Sequence, residues 1–146
     1  MIAGAELAGV MDRALEMTLD YLKTRVQFGK PIGAFQALQH RAVDLYIHKE
    51  LANAVLNEAL ALLDRGPDAA ARAALASRVK ARCSDAALKI TRETIQLHGA
   101  IGFTDEYDAG LYLKRALTLA AWLGHPVWHR RRYARLTIGI TAGVRA

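Results

Sequence analysis

The sequence predicts an all-α fold, an up-down helical bundle of four to five helices that forms a single domain over residues 1–146. Alanine and leucine, with 28 and 20 residues, far outnumber valine and isoleucine, with 7 and 8, a balance that favours helices over strands. Apolar residues recur at spacings of three and four, which is the helical period. The three prolines and their neighbouring glycines divide the chain into long blocks, so strands are not expected.

The first predicted helix spans Ile2–Thr24. No residue before it could cap its free N–H groups through a side chain, so the helical pattern begins with the first residues of the chain. We therefore expect the chain to be a fragment or an excised domain that starts partway through a helix. A loop over residues 25–34 follows, because Gly29, Pro31 and Gly33 lie within five residues of one another.

Two long helices are predicted next, over Gln36–Arg65 and Ala69–His98. Since only three residues join them, they must lie antiparallel. An irregular stretch that starts at Gly99 leads to a fourth helix over Leu111–Leu123, and a fifth helix over Val127–Ile140 ends in a short frayed tail. A bundle of this kind specifies no function by itself, because the same packing serves many classes of protein.

The composition argues against a membrane protein, a secreted protein and a thiolate metal site. No apolar run approaches the roughly 20 residues that a bilayer span needs, and no basic segment precedes an apolar one as in a signal peptide. We therefore expect a cytoplasmic protein with no membrane contact. Cys83 is the single cysteine, so it cannot form an internal disulfide, and we expect it to be a small core residue.

The basic end of the chain raises nucleic-acid binding as an alternative. The net charge is +6, 14 residues are arginine, and no acidic residue follows Asp108. Four arginines cluster at positions Arg130, Arg131, Arg132 and Arg135. Such a basic helical turn is more often a solvated face or a contact with cofactor phosphates than a nucleic-acid site, so no nucleic-acid partner is predicted.

His125 and His129 come closest to a metal-site pattern. They stand four residues apart and could face one another. Two histidines without a nearby carboxylate make a weak site, because zinc sites in proteins use three or four protein ligands. No metal site is predicted.

Two motifs carry more chemistry than connectors need. The first, over residues 25–36, reads Arg-x-Gln-Phe-Gly-x-Pro-Ile-x-x-Phe-Gln, and its guanidinium, amide and helix start suit an anion such as phosphate. The second, over residues 96–104, reads Gln-x-His-Gly-x-x-Gly-Phe-Thr, and its glycines allow the backbone to approach a ligand closely. Taken alone, each motif has an alternative, in which its apolar side chains pack the loop onto the core.

Taken together, in this order and at this spacing, the two motifs resemble those of the carboxyl-terminal domain of the acyl-CoA dehydrogenases. The resemblance covers the chain from the first helix to about Arg135. It implies an all-α domain that packs as a dimer or a dimer of dimers, with FAD lying across the subunit interface. It also implies that the family's amino-terminal helical domain and middle β-domain, which supply most of the flavin and acyl-CoA contacts, are absent from this chain.

By the same resemblance, the first motif supplies four cofactor-binding residues. Arg25 would reach the FAD pyrophosphate of the neighbouring subunit, where its planar guanidinium suits phosphate oxygens. Gln27 and Phe28 would line the same site, and Gln36 would lie near the cofactor.

The second motif would supply three more cofactor-binding residues. Gln96, Gly99 and Ala100 would contact the adenosine diphosphate part of the partner's FAD. The chain departs from the family at Ala100, since a second glycine is usual there, and its methyl group could crowd the cofactor. Because Gly99 keeps the turn, we expect the substitution to be tolerated.

The resemblance also locates the family's catalytic base, and this chain has no carboxylate there. In well-known members a Glu-Gly pair after the fourth helix removes the α-proton of the acyl-CoA, and the alignment puts Leu123 at the glutamate position. Other members carry the base just before the position of Met1. Glu6 is the nearest candidate, one or two turns further on, and each turn displaces a side chain by about 5.4 Å.

Two functions from different classes remain open. The first is the FAD-contacting and oligomerisation domain of an acyl-CoA dehydrogenase-type flavoprotein without its own base, in a homo-oligomer or beside a catalytic subunit that binds acyl-CoA. The stretch Leu111–Ala116 resembles the branch in which such base-lacking chains occur. The alternative is a dimerisation or scaffold module without cofactor. In either case the isolated chain is predicted to be inactive as a dehydrogenase.

Overall fold

The computed structural model describes residues 1–139, and this part of the chain is the predicted all-α bundle. Five α-helices and one two-stranded hairpin build it. The helices are α1 (Ile2–Thr24), α2 (Gln36–Leu63), α3 (Ala69–His98), α4 (Ala109–Ala121) and α5 (Pro126–Ile138). The strands are β1 (Val26–Gln27) and β2 (Lys30–Pro31), and 3₁₀ turns span Ile32–Ala34 and Gly99–Phe103.

Helix α3 lies at the centre of the bundle and contacts the other four helices. Small side chains such as Ser84, Ala86 and Ala87 allow neighbours to approach it closely on several sides. The largest fully buried apolar side chains come from α1, α2 and α3, and they are Leu7, Met11, Leu45, Val79 and Ile90. Cys83 is buried with them, as expected, and burial raises the pKa of its thiol to about 11.

Helices α1 and α3 run side by side in the same direction. Gly4, near the start of α1, packs on Val79, about a third of the way along α3, with no room for a Cβ, and Thr18 contacts Thr94 nearer the ends of both helices. The parallel arrangement follows from the up-down order, since α2 returns the chain between them. The segments after α1 and α3, which carry the two sequence motifs, therefore emerge at the same end of the bundle.

The hairpin between α1 and α2 corrects the expectation that the chain contains no strands. Val26 pairs with Pro31 and Gln27 pairs with Lys30. Phe28 and Gly29 form the two-residue connection with φ of +54° and +79°, and two positive φ values are the geometry of a type I′ turn. The prediction of a loop over residues 25–34 missed this pairing because each strand is only two residues long.

Helix α2 ends at Leu63, two residues before the predicted end at Arg65. The chain turns at Gly66, where a φ of +68° favours glycine. Helix α3 has the predicted bounds, and the Asp68 carboxylate accepts a hydrogen bond from the Ala71 N–H at 2.7 Å to cap its start.

Helix α4 covers Ala109–Ala121 rather than the predicted Leu111–Leu123. The shift at its end has a backbone cause, because Trp122 is extended and Leu123 has a φ of +61°. The last predicted turn of helix is therefore a tight turn that leads into α5.

Helix α5 begins at Pro126 rather than at Val127, since proline fits the first position of a helix. The His125 ring accepts a hydrogen bond from the Val127 N–H at 3.5 Å and caps this start. The helix ends at Ile138, before Gly139 with its φ of +67°. Ile140 and the predicted frayed tail lie outside the described residues.

Ion pairs join the outer faces of α2 and α3. They connect Arg41 with Glu93, Lys89 with Asp44, and Arg78 with Glu58. Partly exposed pairs of this kind contribute little stability each, because water screens the two charges. No helix within residues 1–139 has the length and apolarity that crossing a bilayer requires.

Candidate functional site

A cleft of about 550 Å³ lies at the end of the bundle where α1 and α3 finish. Five of the residues predicted from the two motifs line this cleft, namely Arg25, Gln27, Gln96, Gly99 and Ala100. Because α1 and α3 are parallel, the hairpin after α1 faces the glycine turn after α3. The structure thus brings two motifs together that lie far apart in the sequence.

Arg25 is the basic group of the cleft. It follows the last residue of α1, and its backbone is fixed on both sides, since its N–H donates to Tyr21 O at 2.9 Å and its carbonyl accepts from the Ile32 N–H at 2.8 Å. Its side chain is exposed and forms no ion pair with any residue of the 1–139 segment. A guanidinium on a fixed backbone, without an ion-pair partner among residues 1–139, is suited to bind an anionic ligand.

The glycine turn forms the opposite wall of the cleft. Gly99 has a φ of +64°, which favours glycine, although no atom stands within 4 Å of where its Cβ would be. Gly102 is required by space, because a Cβ there would lie 2.6 Å from the Ile95 carbonyl oxygen. The exposed Ala100 lines the cleft between them.

An aromatic cluster adjoins the glycine turn, and no sequence pattern predicted it. His98 is buried and contacts both Tyr21 and Tyr107, with ring centroids 4.5 Å and 4.6 Å away, and the two tyrosine rings are 6.3 Å from each other. His98 Nδ1 lies 2.7 Å from Thr94 O and donates to it, so Nε2 is free to accept from the Tyr107 hydroxyl at 3.1 Å. Burial lowers the pKa of His98, which keeps the ring neutral. Tyr107 lies in the irregular stretch, where no periodicity reveals a partner.

Phe28 and Gln36 do not line this cleft. Phe28 occupies the tip of the hairpin, where 91% of it is exposed and its ring meets Phe35 edge to face at 6.1 Å between centroids. Gln36 is the first residue of α2 and is also exposed. Neither residue therefore belongs to the cleft formed within this chain.

A second cavity, of about 320 Å³, lies at the opposite end of α1 and α3. Its walls include Met1 and Ile2 from the start of α1, Leu123 from the turn after α4, and the polar side chains of Lys80 and His129. Met1, at the start of α1, and Leu123, in the turn after α4, thus line one cavity. Glu6 does not line it, because its carboxylate pairs with Arg115 on α4, 2.5 Å from the Arg115 Nε.

Comparison with known proteins decides the family of this chain. The family model for the acyl-CoA dehydrogenase C-terminal domain matches residues 1–137. The chain belongs to the acyl-CoA dehydrogenase family. Acyl-CoA dehydrogenase IpdE2 of Mycolicibacterium smegmatis is 42% identical over 132 residues, which cover 90% of this chain and 40% of IpdE2. The chain therefore spans well under half the length of this relative.

Solved structures agree with this membership. The ChsE4-ChsE5 complex from Mycobacterium tuberculosis is similar with a TM-score of 0.86 and 27% identity, over 95% of this chain and 37% of the matched chain. The FAD complex of PigA is similar with a TM-score of 0.83 and 30% identity, over 90% of this chain and 34% of that one. The chain thus has the all-α fold of the acyl-CoA dehydrogenase C-terminal domain.

The histidines considered as metal ligands have other partners in this acyl-CoA dehydrogenase domain. His125 caps α5, and His129 lies 3.0 Å from the Leu123 carbonyl oxygen through its Nε2. Among residues 1–139, no three histidine, cysteine or carboxylate side chains are grouped so that they could hold a metal ion.

The arginine cluster of α5 is used in part by the fold. Arg130 pairs with Asp85 of α3. Arg132 donates to Ser77 Oγ at 3.0 Å and lies over the Trp128 ring at 5.6 Å. Two of the four guanidinium groups therefore attach α5 to α3 instead of forming a free basic surface.

Proposed function

We propose that this chain is the FAD-contacting and oligomerisation domain of an acyl-CoA dehydrogenase-type flavoprotein, an enzyme class that introduces a double bond α,β to an acyl-CoA thioester. One observation carries the proposal. Arg25 and Gln27 of the first motif and Gln96 to Ala100 of the second line a single cleft. A cleft that presents a cation and amide donors from two sides is suited to a diphosphate, because charge-assisted hydrogen bonds to phosphate oxygens are among the strong ones.

The residues of the cleft fit the diphosphate part of FAD. The Arg25 guanidinium offers several donors in a planar fork, and the side-chain amides of Gln27 and Gln96 offer neutral donors beside it. The turn at Gly99 exposes backbone on the facing wall. When bound, FAD supplies a ring that accepts a hydride, and the residues of this chain bind and orient the phosphate end.

The exposed apolar residues support assembly with another subunit. Phe28, at the hairpin tip, is 91% exposed, so its large apolar ring is available for contact with another chain. Helix α2 carries half-exposed apolar side chains along its outer side, namely Val43, Tyr46, Ile47 and Leu51. We infer a homo-oligomer or a hetero-oligomer with a catalytic acyl-CoA dehydrogenase subunit, and the similarity to a chain of the ChsE4-ChsE5 complex favours the second form.

We further propose that this chain lacks its own catalytic base. Leu123 cannot accept a proton, and Glu6, the candidate nearest in sequence to the other base position, is held in an ion pair with Arg115 outside the cavity. Proton abstraction from the acyl-CoA then requires a carboxylate from a partner subunit or from a segment outside this sequence.

A scaffold module without cofactor is the alternative function, and the exposed apolar side of α2 favours it equally. The absorbance spectrum of the full chain, purified with its partners in the presence of FAD, separates the two. A flavin band that stays with the protein through gel filtration is expected for the proposed function. A colourless protein at saturating FAD would support the scaffold instead.

A further inference from the structure

The turn over residues 120–124 is held in a conformation that its sequence does not favour. Leu123 has a φ of +61° and Gly124 a φ of +112°. A branched residue rarely adopts a positive φ unless the surrounding structure imposes it. Since two-thirds of Leu123 is exposed, the packing of its own side chain does not explain the positive φ.

Lys80, from the middle of α3, binds both sides of this turn. Its ammonium nitrogen lies 3.0 Å from the carbonyl oxygens of Ala120 and Gly124 and 3.2 Å from Ser84 Oγ, so all three N–H donors have acceptors. Lys80 is only 5% exposed, and burial lowers the pKa of its amine. It makes no ion pair within residues 1–139. A buried cation without a carboxylate is costly, so its three contacts call for an explanation beyond packing.

His129, from α5, binds the middle of the same turn. Its Nε2 lies 3.0 Å from the Leu123 carbonyl oxygen and donates to it. Burial is the main cause that lowers the pKa of His129, and the nearby Lys80 contributes. The carbonyl groups of Ala120, Leu123 and Gly124 are thus all held by two side chains that belong to other helices.

We propose that Lys80, together with His129, positions the turn over residues 120–124 so that the side chain at 123 faces the cavity beside the start of α1. The same two side chains line that cavity along with Leu123. The inference rests on the proposed function, because position 123 is where the resemblance puts the family's base. Lys80 is a positioning residue, since it acts through the backbone of the turn.

Hydrogen exchange of the full chain, followed at the Trp122 and Gly124 amides by NMR, tests this proposal. Lys80→Met keeps a long, unbranched side chain, one atom shorter than that of lysine, and removes its donors. A hydrogen bond to a charged group contributes a free energy equivalent to about one to two factors of ten in an equilibrium constant. We therefore expect both amides to exchange about 10- to 100-fold faster in Lys80→Met than in the unmodified chain.

Two controls separate this role from a general loss of stability. Ile90→Val weakens the core packing of α3, and Lys89→Met removes a partly exposed lysine beside Ile90. Neither variant should selectively accelerate amide exchange in the turn. If Lys80→Met does not fold, His129→Phe carries the test, because it removes only the donor to Leu123 O. Turn amides that exchange no faster in Lys80→Met, or in His129→Phe, than in Ile90→Val would overturn the proposal. The measurement needs neither FAD nor acyl-CoA, so its failure is distinct from failure of the proposed function.

Discussion

The hydroxyl oxygens of Thr18 in α1 and Thr94 in α3 lie 3.0 Å apart, and both side chains are fully buried. Thr18 Oγ1 is also 2.7 Å from the Ala14 carbonyl oxygen, so the pair is tied to the backbone of α1. This contact fixes the register of the two parallel helices near their ends. It therefore sets the distance between the hairpin motif and the glycine turn across the cleft.

Thr94→Val should lower the free energy of unfolding by about 0.5–1.5 kcal/mol, the usual contribution of one hydrogen bond. The double variant Thr18→Val/Thr94→Val should lose less unfolding free energy than the sum of the losses in the two single variants, because the two hydroxyls are hydrogen-bonded to each other. Chemical denaturation measures all three. The control is Thr118→Val, which changes an exposed threonine of α4 bonded only to its own helix. Strictly additive effects would contradict the coupling of Thr18 and Thr94.

The unfolding free energy should fall as the pH drops from about 7 to about 5. Burial lowers the pKa of His98 in the folded chain below its ordinary value of about 6.5. Below that value the unfolded chain takes up a proton that the folded chain does not, so stability is lost as the pH falls. Denaturation curves at several pH values should show a shallower decline in His98→Gln than in the exposed control His40→Gln. If the unfolding free energy declined with pH at the same slope in both variants, His98 would not be a source of this pH dependence.

The chain should associate through the exposed apolar side of α2. Ile47→Asp puts a charge among Val43, Tyr46 and Leu51, so it should shift the sedimentation of the assembled protein towards the monomer. Asn57→Asp adds the same charge at an exposed polar position of α2 and should leave the assembly unchanged. A monomer in the unmodified protein at tens of micromolar would contradict the proposed assembly.

A carboxylate at position 123 should create or raise dehydrogenase activity in the assembled, flavin-loaded protein. General-base catalysis typically contributes about 10²- to 10⁴-fold, so Leu123→Glu should accelerate flavin reduction by acyl-CoA by up to that range. Leu123→Gln introduces a side chain of the same shape as glutamate that cannot act as a base, so it should not accelerate flavin reduction. If the unmodified assembly already turns over at an ordinary rate, Glu6→Gln tests whether the base is Glu6. An inactive Leu123→Glu with flavin and substrate bound would mean that 123 is not the base position.

The sequence was sufficient for the bundle and for most of the cleft. Helix α3 has the predicted bounds, because the three-residue connection before it and Gly99 after it mark both ends. Five of the seven proposed cofactor residues share the cleft, since their motifs follow parallel helices.

The remaining features depend on contacts that no short pattern contains. The Phe28–Gly29 turn is stabilised by only two pairs of residues, too few for a strand pattern. The left-handed backbone at Leu123, where α4 ends early, coincides with contacts from Lys80 and His129 on other helices. The pairing of His98 with Tyr107 likewise requires the irregular stretch to fold back onto α3.

The affinity of the assembled protein for FAD in Arg25→Ala is the most direct test of the account. Arg65→Ala is the matched control, because Arg65 is an exposed arginine that does not line the cleft. Arg25→Ala should weaken FAD binding by about 1.5–3 kcal/mol, the range for a hydrogen bond to a charged group, while the melting temperature of the apoprotein stays nearly unchanged. Titration calorimetry that gives equal FAD affinity for Arg25→Ala, Arg65→Ala and the unmodified protein would contradict the assignment of the cleft.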